Sequence, residues 1–333
     1  MNLWRVPIDE KTGRVIAEPE PLTTPSAWTG RFSLSRDGTR LAFGTLDFRS
    51  TLLRAPFDPV KETLTGPPLP MLKGTRPIRD HQLSPDGQWI AFAEAGSQED
   101  LFVARVDGSQ YRRLTDDGFR DRGPTWSPDG TRIAFYSDRG GGYDLWTIRP
   151  DGSGLTALTN KTGSPGFPVW SPDGLRMAFG FASEWHIIEP TAGKGAVSTP
   201  AKMPKPGSPF APASWSPDGQ RIVGLTGLPT MGLTVYSIAT QQFTPVPGEM
   251  SRGYWVFPTW LSDGRRVILR RPDGISVVDT TTGVGRSLIQ VGGYMTGGSV
   301  GISRDNRWIT YTETATEGDI WIATMKTTGE AIR

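Results

Sequence analysis

One five-residue phrase recurs seven times along the chain, and it constrains the fold more than any other feature. It reads Leu34-Ser35-Arg36-Asp37-Gly38, Leu83-Ser84-Pro85-Asp86-Gly87, Trp126-Ser127-Pro128-Asp129-Gly130 and Trp170-Ser171-Pro172-Asp173-Gly174, then Trp215-Ser216-Pro217-Asp218-Gly219, Trp260-Leu261-Ser262-Asp263-Gly264 and Ile302-Ser303-Arg304-Asp305-Asn306. Successive aspartates lie 49, 43, 44, 45, 45 and 42 residues apart. Such regularity marks an array of supersecondary units, each unable to bury its apolar face alone. The phrase itself is turn chemistry: Pro fixes φ, Asp accepts nearby backbone N–H groups, and Gly or Asn306 tolerates positive φ.

An alternating strand follows each turn, as in Arg40-Leu41-Ala42-Phe43 and Arg132-Ile133-Ala134-Phe135. A third strand comes after a loop, as in Asp100-Leu101-Phe102-Val103, Asp144-Leu145-Trp146-Thr147 and Asp319-Ile320-Trp321-Ile322. A weaker fourth closes most units, as in Arg112-Arg113-Leu114-Thr115. Four short antiparallel strands every ~40–45 residues describe a propeller blade, and no ten-residue stretch has helical periodicity. The sequence thus predicts an all-β, seven-bladed β-propeller of four-stranded antiparallel blades. It occupies 1–333 as one domain, with blades starting near 31, 80, 123, 167, 212, 257 and 299.

Exposed sheet edges must be protected. The last unit has strands near Val300–Ile302, Trp308–Tyr311 and Ile320–Thr324 but no clear fourth, so residues 14–24, which include Val15–Thr23, are expected to complete it. Leu3–Ile8 then reads as an extra strand, or as the remnant of a blade truncated upstream.

Composition excludes chemistry more readily than it assigns any. The 333 residues contain no Cys and 2 His, which excludes disulfide scaffolds and thiolate metal sites and leaves little for a zinc site. No cofactor is expected. A net charge of +2 provides no field to attract nucleic acid, and no run of apolar residues is long enough to span a membrane. Met1–Pro7 lacks the basic and apolar regions of a signal peptide.

The Ser-Pro-Asp-Gly-x-Arg-Ile-Ala-Phe phrase, followed by Asp-Leu-Trp and then Leu-Thr, resembles the TolB-like, WD-repeat-like propeller repeat. Asn2–Asp9, Thr12-Gly13-Arg14 and Glu18–Thr23 are most similar to the C-terminal propeller domains of bacterial membrane-linked kinases and winged-helix regulators. The resemblance covers essentially the whole chain. It implies a non-catalytic binding or sensor module for a protein, peptide or small ligand, monomeric as a domain. It also favours a periplasmic or other extracytoplasmic place in signalling.

Aligning the repeats on their aspartates places the residues five to eight positions earlier at one channel mouth. Arg31, Arg79, Asp80, His81, Asp121 and Arg122 lie there in the first three units, with Arg76 and Arg120 close by, and Phe167, Phe210, Trp255 and Phe257 in the next three. A mouth half basic and half aromatic suits an extended ligand with an anionic end and an apolar body. The alternative is a propeller enzyme, a lyase or glycoside-acting protein, with His81, Asp80 and Arg122 in the channel. Gly297-Gly298-Ser299-Val300-Gly301 has nucleophile-elbow spacing, but it enters a strand with no helix after it. The acidic residues between second and third strands read as solvated loop tips rather than a calcium site.

Overall fold

A computed structural model describes residues 3–9, 11–22, 28–73, 76–96, 98–160, 166–181, 184–190, 199–200, 210–227, 232–248, 257–290 and 299–324. Among these the chain is all β, with no helix long and apolar enough to cross a membrane. It divides into two compact units, a larger one of residues 50–313 and a smaller one of residues 1–49 and 314–333.

The repeated turn has one geometry in both units. Ser84 Oγ donates to Asp86 Oδ1 at 2.5 Å and accepts the Trp89 N–H at 2.9 Å, while Asp86 Oδ1 accepts the Gln88 N–H at 3.0 Å. The same serine–aspartate bond recurs at Ser35, Ser127, Ser171, Ser216 and Ser303. The last residue of the phrase takes φ between 63° and 71° where it is Gly and 58° at Asn306, a region Asn enters more readily than other side chains. In the sixth copy Leu261 replaces the serine and is fully buried, and Asp263 alone caps the Arg265 and Arg266 N–H groups.

In the larger unit each turn joins an inner strand to the next in an antiparallel sheet. Sheet 1 comprises Ile78–Leu83, Trp89–Glu94, Leu101–Arg105 and Arg112–Arg113; sheet 2 comprises Asp121–Trp126, Ile133–Ser137, Asp144–Ile148 and Thr156–Ala157. Sheets 3, 4 and 5 repeat the pattern from Val169–Trp170, Phe210–Trp215 and Thr259–Trp260. Sheet 6 draws on both ends of this unit. Val300–Ile302 pairs with the start of Trp308–Thr324, which lies beside the second part of Arg40–Asp58, and that strand pairs in turn with Leu69–Lys73.

Buried apolar clusters join the sheets in a cycle. Leu101, Val103, Ile133 and Phe135 fill one junction between sheets 1 and 2, and Phe57, Ile309, Ile268 and Val277 another between sheets 5 and 6. Leu52, Met71 and Leu72 of sheet 6 pack with Ile90 and Phe92 of sheet 1. Burying such side chains contributes about 1.5–3 kcal/mol each, enough for neighbouring sheets to hold one another in register.

Two features depart from the sequence expectation. Six turns serve sheets of the larger unit, whereas the first, at Ser35–Gly38, lies in the smaller one. The cause is two long strands, Arg40–Asp58 and Trp308–Thr324, of 19 and 17 residues. Where the second sheet has the loop Asp138–Gly142, these carry pleat-compatible residues, Leu46 and Phe48 in one and Thr314 in the other, so no turn interrupts them. Second, the segment expected to complete the last blade pairs locally. Trp4 and Arg5 pair with Pro21 and Glu20, and Ile8 bridges Val15. Asp9 Oδ1 accepts the Lys11 and Thr12 N–H groups at 2.8 Å each, which closes this hairpin across a short loop at low entropic cost. Leu3–Ile8 is thus one arm of the hairpin, and the sheet of the last repeat is finished by residues 50–58 and 69–73 instead.

In the smaller unit Trp28–Leu34 pairs with the first part of Arg40–Asp58, and Trp321 Nε1 donates to Thr45 Oγ1 at 3.0 Å. Ile320 is 85% exposed there, whereas Leu145, at the same place in its repeat, is fully buried. Leu145→Ala should therefore cost about 2–5 kcal/mol in urea unfolding, and Ile320→Ala no more than about 0.5 kcal/mol. Equal losses would show that the two positions are packed alike.

Candidate functional site

The inner strands of the six sheets surround a channel. The residues that enter them sit on β-bulges: register shifts fall between Ile78 and His81, between Arg122 and Thr125, and between Pro212 and Ser214. A bulge re-aims a side chain that a regular strand would turn elsewhere. At this end Asp80, His81, Gly123, Phe167, Phe257 and Ser299 line a cavity of about 100 Å³.

The aromatic side is built around Gly123. Its φ is 61°, and a Cβ there would lie 2.6 Å from Phe167 Cδ1, so only glycine allows the ring to close over the strand. Phe167 contacts Phe257 at 4.1 Å between centroids and Tyr136 edge-on at 5.4 Å. The half-buried Asp80 carboxylate accepts the Gly123 N–H; burial pushes its pKa up to about 6 against the pull of Arg79, that N–H and Arg122.

The basic side is compensated rather than free. Glu99 is buried, and it accepts a hydrogen bond from Arg122 Nε and lies 4.0 Å from Arg79 Nη2. The Arg122 guanidinium also stands 5.5 Å from the Tyr143 ring centroid. Asp121 is fully buried and takes both of its bonds from Arg139 Nη2, at 2.8 and 2.7 Å. Arg76 and Arg120 are exposed, and the Arg120 backbone N–H is held by Asp138.

His81 is locked from all sides. Its backbone N–H donates to Ser299 Oγ at 2.8 Å, its Nδ1 lies 3.1 Å from that hydroxyl, and its Nε2 lies 3.1 Å from Thr310 Oγ1. Burial lowers the imidazole to about 4, with Arg270 acting in the same direction. The ring is therefore neutral near pH 7. The Ser299 hydroxyl, already accepting the His81 N–H, latches sheet 6 to sheet 1, which is a structural use of the residue at the elbow-like spacing.

Of the remaining sequence candidates, Phe210 is not at the mouth. It is 1% exposed and packs between Trp185 at 5.2 Å and Phe243 at 5.1 Å, because its strand directs it into the junction of sheets 3 and 4. Arg31 lies in the smaller unit, exposed, at a bulge where its φ is 47°. Trp255 and the two glycines before Ser299 fall outside the described residues. Among those described, no three His, Asp or Glu side chains gather as a metal site would require. Sequence reasoning overlooked the opposite end of the channel, where Pro85, Pro128, Pro172 and Pro217 with their neighbouring tryptophans line a cavity of about 420 Å³. The signal was the repeated phrase, read as turn chemistry alone.

Asp80 and His81 give opposite pH dependences over one range. The raised Asp80 pKa stabilises the fold fully below about pH 3.8, and this is lost as pH rises through about 6. The lowered His81 pKa stabilises above about pH 6.5, and this is lost as pH falls through about 4. Asp80→Asn should thus melt higher than wild type above pH 6, by on the order of 1–2 kcal/mol, with the two curves converging toward pH 4. A pH-independent difference in Tm would show that Asp80 titrates normally.

A family model described as TolB beta propeller domain matches residues 79–199. The chain is 36% identical over 76 residues to the uncharacterized peptidase YuxL of Bacillus subtilis, a stretch covering 22% of this chain and 12% of that protein. It is 42% identical over 55 residues to the uncharacterized protein Atu1656 of Agrobacterium fabrum, covering 16% of this chain and 19% of that one. These matches span well under two thirds of either relative. A TolB-type structure from Agrobacterium tumefaciens superposes with a TM-score of 0.64 at 16% identity, over 80% of this chain and 99% of that one. TolB from Acinetobacter baumannii gives 0.56 at 15%, over 82% and 66% respectively. Turn, sheets and superpositions agree: the chain has a TolB-like β-propeller fold.

Proposed function

We propose that this chain is a non-catalytic binding or sensor module that takes an extended peptide segment of a protein partner at the Asp80–Phe257 end of the channel. The observation that carries the reading is the pair of half-buried rings, Phe167 and Phe257, 4.1 Å apart beside a half-buried carboxylate at a channel mouth. Apolar rings with a few fixed polar groups at a concave opening are the usual composition of a recognition site. Rigid strands hold them, so little ordering entropy opposes binding. The carboxylate and the Arg79–Glu99–Arg122 network together present mixed charge, which favours a segment with both a cation and an apolar residue over a purely anionic one. The TolB-like fold supports protein binding as the general role. An extracytoplasmic location accords with the same fold, and the site as read needs no cofactor.

The catalytic alternative rests on Ser299 beside His81 and on the peptidase name of one partial relative. The neutral, buried imidazole faces Thr310 rather than a carboxylate on its far side, an arrangement suited to holding strands together rather than to activating a nucleophile.

Phage-displayed random peptides selected on the full chain provide the test. An enriched peptide should bind in fluorescence anisotropy, and Phe257→Ala should weaken it at least tenfold. Arg79→Ala combined with Arg122→Ala should change affinity less than the ring variant, since Glu99 already occupies both cations. Failure to enrich any peptide, or equal binding by Phe257→Ala, would refute the reading.

A further inference from the structure

The junction between sheets 6 and 1 lacks both of the features that close the junctions between sheets 2 and 3, 3 and 4, and 4 and 5. At four successive turns the first residue of the phrase is a tryptophan, Trp126, Trp170, Trp215 or Trp260, each 4–8% exposed. Three of these indoles donate across the junction to the neighbouring inner strand: Trp126 to Gln82 O at 3.2 Å, Trp170 to Thr125 O at 3.3 Å and Trp260 to Ser214 O at 3.1 Å. A guanidinium three residues beyond the neighbouring aspartate covers the ring, as Arg132 does over Trp170 at 5.7 Å, Arg176 over Trp215 at 5.0 Å and Arg221 over Trp260 at 5.2 Å. The junctions at Trp170, Trp215 and Trp260 are thus each closed by an indole capped with a cation, whereas the covering position for Trp126 holds Trp89 and the wedge position between sheets 5 and 6 holds Ile302.

Between sheets 6 and 1 the wedge position holds Leu83, which has neither the ring area nor the donor. The position that supplies the covering arginine at those three junctions holds Trp308, and the Arg54 guanidinium stands 4.6 Å from its ring centroid. The result is a cavity of about 470 Å³ lined by Leu83, Pro85, Val106, Arg54, Arg304 and Trp308 among others. It adjoins the turn-side cavity, with which it shares Leu83, Pro85 and Arg304. Among the described residues neither Arg54 nor Arg304 has a carboxylate partner. The apolar wall is therefore flanked by two cations, and the same rim carries the carboxylates of Asp86 and Asp305, each with one oxygen held by its own turn serine.

We propose that this seam is a second ligand site, distinct from the Asp80 mouth, for an aryl group carrying a nearby carboxylate. The ring takes the space that the indoles of Trp126, Trp170, Trp215 and Trp260 fill at their junctions, and the carboxylate pairs with Arg54 and Arg304. Such a group is offered either by a small aromatic acid or by an acid-flanked aromatic residue of a peptide.

Calorimetric titration of the full chain with N-acetyltryptophan, N-acetyltryptophan amide and the peptide Gly-Trp-Glu-Gly tests this. Wild type should bind N-acetyltryptophan saturably at millimolar or lower concentration, and the amide at least about threefold more weakly. Leu83→Trp should rebuild the missing wedge, raise Tm and reduce binding at least tenfold. Should that variant fail to fold, Leu83→Phe provides the same test with a smaller ring. Arg54→Ala should weaken the acid and leave the amide unchanged. The tighter of peptide and free acid identifies the source. Absence of saturable binding to wild type, or undiminished binding to a folded Leu83→Trp or Leu83→Phe, would overturn the proposal.

Discussion

A serine hydroxyl that donates to an aspartate two residues ahead and accepts an N–H five residues ahead is the contact on which five of the six sheets of the larger unit depend. In the turn at Ser127 it holds Asp129 Oδ1 at 2.5 Å and the Arg132 N–H at 3.0 Å, and the same hydroxyl orders the start of the following strand. The serine bond and the backbone N–H groups keep Asp129, Asp173 and Asp305 below the usual carboxylate range, so the clamp is intact throughout the neutral region. The inner and second strands leave this clamp antiparallel and in register. Their side chains then alternate into the two junctions that each sheet shares with its neighbours.

From that constraint the junctions follow. A tryptophan immediately before the serine is carried to the edge of the inner strand, where it bridges to the preceding sheet. Where the clamp or the wedge is altered, the neighbourhood alters too. Leu261 moves into the core, and Asn306 Nδ2 reaches Ser262 Oγ at 2.6 Å instead. Leu83 leaves a cavity. The same array that gives four of the six junctions a tryptophan wedge thus makes the departures stand out chemically.

The channel mouth shows how burial changes the meaning of a charged residue. Arg79 and Arg122 look like a basic patch when read along the chain, yet they share the buried Glu99. Asp121 is consumed by Arg139, 18 residues further along the chain and two past the end of the neighbouring strand Ile133–Ser137. Asp80 faces the same two arginines and balances the second cation, its pKa raised by burial. The site is accordingly a mixed, largely compensated rim around aromatic rings rather than a cationic funnel.

Much of this protein was legible from the chain alone. The period of the Ser-Pro-Asp-Gly phrase specified repeated antiparallel sheets, and the alternation in Ile133–Ser137 specified which side chains face a junction, because turn chemistry and pleat are local properties. Local rules also placed Asp80, His81, Phe167 and Phe257 together at one mouth, since equal offsets from a repeated turn lead to equal positions. Tertiary structure decided what depends on competition between distant segments. It directed Phe210 inward, gave Arg139 to Asp121 and Glu99 to Arg122, and paired residues 14–22 with the chain's own start. It also assigned residues 50–58 and 69–73 to the sheet of the last repeat. Pairing across the ends of a chain is chosen by comparing the closure entropy and packing of alternatives, and no local pattern in the sequence records that comparison.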